Sequence, residues 1–188
     1  MARKPPDAIH FTESDEANRL LASDPLALLV GFALDQQVTV QKAFSGPLAI
    51  RERLGVFDAA ALADADLEPV FRQKPAVHRY PAVMAVRVHD LAVWIRDEYN
   101  GNAAEVWKTA RSGEQLRANL MALPGFGEMK VTSLASVLAK RFGVTAAADL
   151  VPDHMTLGDV DSAEALAEYQ AAKRAHKAAV RAAAATGN

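Results

Sequence analysis

Apolar residues recur at every third or fourth position through most of this chain, and strict apolar–polar alternation is almost absent, a pattern that predicts helices and no sheet. Ser14 is placed to cap a first helix carrying Ala17, Leu20 and Leu21. Ser23 or Asp24 caps a second, with Pro25 at its favoured first position. Residues 26–34 of that helix are apolar on nearly every side, which predicts a place in the middle of the fold. A third helix is expected over 38–53, interrupted at Ser45-Gly46-Pro47 and ending near Gly55. Short helical turns at 59–65 and 68–71 lead into an irregular stretch at 73–81. The amphipathic pattern at 81–99 directs Val83, Met84, Val86, Val88, Leu91, Trp94 and Ile95 to the core, and Asn100-Gly101 ends it. A short helix with Trp107 follows at 103–109. Between 144 and 161 no period is sustained, and Ser162 then caps a last helix rich in Ala, Lys and Arg, from 163 to 185.

The fold class expected is therefore all-α. One helical domain is expected over 13–160, preceded by a disordered segment at 1–12 and followed by the C-terminal helix and tail at 161–188.

Residues 114–122 and 128–142 form the most informative pair of helical patterns. Leu116, Leu120 and Met121 keep helical spacing before the join; Val131, Leu134, Ala135 and Leu138 keep it afterwards, leaving Lys130, Lys140 and Arg141 for solvent. The join reads Leu123-Pro124-Gly125-Phe126-Gly127. Two glycines separated by one apolar residue, opening a helix, can aim backbone N–H groups outward together at the positive end of the helix dipole, where a phosphate oxygen fits. A Cβ at either glycine would obstruct a φ > 0 turn or the close approach of a ligand. Leu123 and Phe126 are expected to pin the hairpin from inside.

At this helix–hairpin–helix unit the chain resembles the helix-hairpin-helix superfamily of base-excision DNA glycosylases, whose hairpin reads Leu-Pro-Gly-x-Gly. Asp24-Pro25 and the apolar helix closing on Asp35-Gln36-Gln37 are similar to that superfamily's buried helix and its Gln-containing turn, so the likeness runs through residues 20–145. The resemblance implies a helix-hairpin-helix glycosylase-like fold, double-stranded DNA as partner, and removal of a damaged or mismatched base. It further implies DNA contacts from Leu123, Pro124, Gly125, Phe126, Gly127, Met129 and Lys130, and a monovalent cation held by hairpin carbonyls. Gln36 and Gln37 would face the opened duplex, against the simpler reading of polar residues at a helix end.

The catalytic parts are less regular. Lysine-bearing members place their nucleophile two residues after the second hairpin glycine, a position held here by Met129; Lys130 lies one residue and about 100° further round the helix. A Schiff-base mechanism is therefore not expected, and Lys130 is read as a phosphate contact or a solvated charge. The superfamily's carboxylate follows a Gly/Pro-containing loop in patterns similar to Val-Asp-x-His-Val and opens a helix. Val151-Pro152-Asp153-His154-Met155 echoes that pattern with one residue fewer between Asp and His, whereas Asp149 lies nearer the usual spacing without the flanking pattern. Asp153 is thus the first candidate carboxylate and Asp149 the second. His78 and Arg79 read as surface residues in a basic loop, and Trp94 and Trp107 as core.

The absence of cysteine excludes disulfides, thiol nucleophiles and Cys-ligated clusters, so the iron–sulfur cluster of many superfamily members is not expected. The five histidines show no metal-ligand spacing, and no metal is expected. The apolar run 26–34 is too short to span a bilayer, and the basic N-terminus lacks a following apolar stretch; a cytoplasmic monomer is expected. Net charge is −2, with acid concentrated at 58–68 and 149–168 and base at 72–87, 130–141 and 173–181, which predicts DNA affinity of moderate salt dependence. Three readings compete: a monofunctional glycosylase using Asp153 or Asp149, a DNA-binding lesion sensor that kept the hairpin without the chemistry, and a helical interaction module with no nucleic-acid role.

Overall fold

The computed structural model describes residues 5–186, and all regular structure in that range is helical. The order is α1 (Asp15–Ser23), α2 (Pro25–Leu34), α3 (Val40–Leu54), α4 (Ala59–Asp64), α5 (Leu67–Arg72), α6 (Pro81–Glu98), α7 (Glu105–Lys108), α8 (Gly113–Met121), α9 (Glu128–Lys140) and α10 (Ala163–Thr186). Two 3-10 turns, Thr145–Leu150 and Leu157–Asp159, fill the stretch between α9 and α10.

Local chemistry sets most helix starts. Ser14 Oγ accepts the Ala17 N–H at 3.2 Å, Asp24 Oδ1 the Leu26 N–H at 2.9 Å, and Ser112 Oγ the Gln115 N–H at 3.2 Å. Each such cap is worth about 1 kcal/mol. Between α1 and α2 the chain bends by 114°. Helix α2 then runs through the centre, packed against α1, α3 and α6, with every residue from Leu26 to Leu34 buried. No single helix among the described residues is long and apolar enough to cross a membrane.

Three departures from the sequence-based expectations have physical causes. Helix α3 continues through Pro47 instead of breaking, because its middle is clamped on α2: Gly46 and Pro47 are buried, and a Cβ at Gly46 would sit 2.4 Å from Leu34 Cδ1. That close packing outweighs the hydrogen bond that proline removes. The segment at 1–12, expected to be disordered, reaches outside the described residues at 1–4, but Ile9 and Phe11 are fully buried and Phe11 packs edge-on against Phe44 at 4.8 Å between centroids. On α6 the core stripe is Met84, Ala85, Val88, Leu91, Ala92 and Ile95; Val83 and Val86 lie off it and are 57% and 60% exposed. The stripe is narrower than the run of apolar residues, so part of the helix presents valine to solvent.

Candidate nucleic-acid interface

Helices α8 and α9 form the expected unit. Leu123 and Phe126 are buried, while Gly125, Gly127 and Met129 are exposed and Pro124 is half-buried. The turn closes by Phe126 N–H donating to Leu123 O at 3.1 Å. Gly125 adopts φ +79°, in the left-handed region that favours glycine. Gly127 does not: at φ −114° it is extended, and a Cβ built there would meet nothing within 4 Å. Its requirement for glycine is not conformational.

Gly127 is also the N-cap of α9 and supplies no side chain to cap it. The first-turn N–H groups of Glu128, Met129 and Lys130 therefore have no partner within the helix and point towards an exposed surface. Glu128 would repel an anion there, but its carboxylate is paired with Arg117 of α8.

The turn after α2 meets this hairpin. Arg87 of α6 lies against Gly125, 3.2 Å from its Cδ to the position of a Cβ, and its Nη1 donates to Gln36 Oε1 at 2.6 Å. Lys130 Nζ donates to Ala33 O at 3.0 Å, near the C-terminal end of α2 where the helix dipole favours a cation. The ammonium also lies 5.8 Å from the Phe126 ring centroid. Lys130 is thus tied to the core and is not the solvated charge that its place in the sequence suggests. Burial pushes its pKa down to about 8, the Arg87 charge adds to this, and Asp35 opposes it.

His78 organises the same turn. It is 1% exposed, not a surface residue, and its Nε2 lies 3.1 Å from Leu34 O and 3.2 Å from Gln36 O. Nδ1 accepts the Tyr80 N–H at 3.0 Å, so the partners assign the neutral tautomer with hydrogen on Nε2. Burial holds its pKa below the ordinary value despite those carbonyls. Tyr80 Oη donates to Gln37 Oε1 at 3.2 Å, and Gln37 itself sits at φ +56°. Gln36, Gln37, Gly125, Phe126 and Lys130 are therefore gathered at one place, together with Arg87, His78 and Tyr80.

The carboxylates are distributed differently. Asp149 stands beside Gly113, with Oδ2 3.8 Å from the position of a Cβ there, at the N-terminal end of α8. The hairpin is at the other end of that helix, about 13 Å away along its axis. Asp153 is exposed, and no helix opens at it; the next element is the 3-10 turn Leu157–Asp159, held by a Thr156–Asp159 capping box and by Lys140 Nζ to Asp159 Oδ1 at 2.6 Å. The carboxylate next to the hairpin lysine is Asp35, half-buried at the end of α2. Burial raises its pKa, while Lys173 and Lys130 pull the other way.

Arg87, Asp35 and the buried state of His78 are not apparent from sequence. The one local signal is Asp35-Gln36-Gln37 closing an otherwise apolar helix; polar residues at such a place need partners, and here Gln36 and Gln37 find them in Arg87 and Tyr80. Among the described residues no group of three or more His, Asp or Glu is arranged to hold a metal ion. No family model matches this chain, and neither a curated protein nor a solved structure matches it.

Proposed function

We propose that this protein binds duplex DNA through the hairpin and the turn after α2, and acts in base-excision repair as a monofunctional N-glycosylase. The single observation that carries the reading is the Gln36–Arg87–Gly125 contact, which unites on one surface the two segments whose sequences resemble the superfamily. The N–H groups opening α9 suit a phosphate oxygen, with Arg87 and Lys130 adding positive charge beside them. Leu123 O and Gly127 O each accept one backbone N–H, from Phe126 and Val131, and keep a lone pair for a monovalent cation. On this reading Gln36 and Gln37 enter an opened duplex and hydrogen-bond an orphaned base.

In a monofunctional enzyme a carboxylate activates water for attack at the sugar carbon as the base departs. Asp153 is assigned that role, with Asp149 as the second candidate. The position of Asp149 at the far end of α8 favours a second reading, a lesion sensor that grips DNA without cutting the glycosidic bond.

The test is incubation with duplexes each carrying one damaged or mismatched base, followed by alkali to open abasic sites. Strand breaks with one substrate, abolished in Asp153→Asn, support the glycosylase; Asp149→Asn and Asp35→Asn run beside it identify the carboxylate if Asp153→Asn stays active. No breaks, but tighter binding to a lesion duplex than to intact DNA, would select the sensor. Neither cleavage nor binding at low salt would sink both.

A further inference from the structure

Beyond Gln170 the last helix leaves the body of the protein: residues 171–185 are all exposed. Its docked part is held by buried Leu166, half-buried Tyr169 and a reciprocal amide pair. Gln170 Nε2 donates to Gln41 Oε1 at 2.7 Å, and Gln41 Nε2 to Gln170 Oε1 at 3.2 Å. No Asp or Glu follows Glu168 in the chain, whereas Lys173, Arg174, Lys177 and Arg181 do. At about 100° per residue, taking Lys173 as the origin, these four project at roughly 0°, 100°, 40° and 80°. They form one stripe. Leu166 and Gln170 fall at roughly 20° and 60°, within the same arc. The face that grips the body is therefore the face that carries the cations past its edge.

The stripe also begins at the candidate interface. Gln41, which holds Gln170, lies in the first turn of α3, four residues after Gln37, and the Lys173 and Lys130 charges both oppose the burial that raises the Asp35 pKa. Alanine on the remaining faces favours helix through the exposed residues. A membrane-surface helix would need a large apolar face opposite its cations, and here that side is alanine, Val180 projecting at roughly 340°, beside the stripe.

We propose that the overhanging part of α10 lies along the sugar–phosphate backbone of a duplex seated on the hairpin, adding sequence-independent phosphate contacts beside the site. The inference rests on the duplex-binding reading above. Its occupant is chosen by charge: four cations in one stripe with no acid among them, the first of which, Lys173, faces the same Asp35 carboxylate as Lys130.

The experiment compares the full-length protein with its Lys173→Gln/Arg174→Gln/Lys177→Gln/Arg181→Gln variant, glutamine having a helix propensity close to that of lysine and arginine. Affinity for a fluorescent duplex is measured over a salt series. Removing one cation–phosphate pair lowers the slope of log K against log salt by about 0.9, so the slope of the variant should fall by about 3 to 4, with residual binding through the hairpin. If the fourfold variant unfolds, Lys177→Gln/Arg181→Gln, at exposed positions further from the docked part of the helix, should show a fall about half as large. Equal slopes in wild type and variant, with binding intact, would overturn this inference and leave the hairpin reading standing. Absence of duplex binding by the wild type at low salt would overturn both. Capture of anionic vesicles by the wild type alone, with DNA slopes unchanged, would assign the stripe to a membrane surface and overturn the inference too.

Discussion

Arg87 donates to the side-chain oxygen of Gln36 at 2.6 Å, and by that bond the long helix α6 holds the turn after the buried helix α2 against the hairpin. The same arginine lies along Gly125, so one side chain touches both segments of the proposed interface. Arg87→Ala should weaken duplex binding about tenfold, since it removes a cation and frees Gln36. Arg87→Lys should recover charge but not the contact, and so restore only part. Because Arg87 is half-exposed, the thermal midpoint should move little. Anisotropy titrations with unchanged affinity for Arg87→Ala would remove this residue from the interface.

The two hairpin glycines should fail in different ways. Gly125→Ala places a Cβ at φ +79° and 3.2 Å from Arg87 Cδ, so a loss of about 1–2 kcal/mol in stability is expected. Gly127→Ala meets no atom and no unfavourable backbone angle, so stability should stay near wild type. If a phosphate approaches the bare Gly127 backbone, that same variant should lose about tenfold in duplex affinity. Denaturant midpoints and binding curves of both variants check the contrast; full affinity in Gly127→Ala would reject close approach at that position.

His78 should make stability fall in mild acid. Its folded-state pKa is held below the ordinary 6.5, so on acidification the unfolded chain takes the proton first. The stability contributed by neutral His78 is complete above pH 6.5 and lost as pH drops from there through the folded value. Protonation would also turn Nδ1 into a donor facing the Tyr80 N–H. His78→Gln should cost about 1–3 kcal/mol at pH 7 and flatten the decline below pH 6.5. An equally steep acid loss in the variant would transfer that titration to another group.

Lys130 carries a linkage of its own at higher pH. With a folded pKa of about 8 against an ordinary 10.5, the unfolded chain holds more of this proton between those values, so stability rises with pH across that window. The unfavourable contribution is complete below pH 8. Lys130→Met should therefore compare best with wild type at pH 7, its relative advantage shrinking towards pH 10.5. Since Lys130 Nζ is tied to Ala33 O, borohydride should trap no covalent complex with abasic DNA. A trapped complex, absent in Lys130→Met, would replace the proposed monofunctional mechanism with a lyase.

His78 and Lys130 owe their shifted titrations to long-range packing, whereas other parts of the fold rest on neighbouring residues alone. Helix starts at Ser14, Asp24 and Ser162 are legible in the sequence because a cap is satisfied within three residues of itself. The end of α3 at Gly55 and the hairpin at 123–127 are legible for the same reason, since a left-handed turn is a property of a few adjacent residues. So is the central place of α2, because a helix apolar all round has no solvent face to offer. The sequence by itself thus determined an all-helical protein, most of its punctuation and the exposed glycines of its hairpin.

The meeting of Gln36 with Arg87, 51 residues apart, and of Lys130 with Ala33, 97 apart, belongs to the tertiary structure alone. Such contacts depend on how far each helix is rotated about its axis and at what angle it crosses its neighbour, and no window of sequence encodes either. The same rotation left Val83 and Val86 in solvent, buried His78, and kept α3 continuous through Pro47. Periodicity marks the apolar positions of a helix, but only packing against a particular neighbour selects which of them face the core.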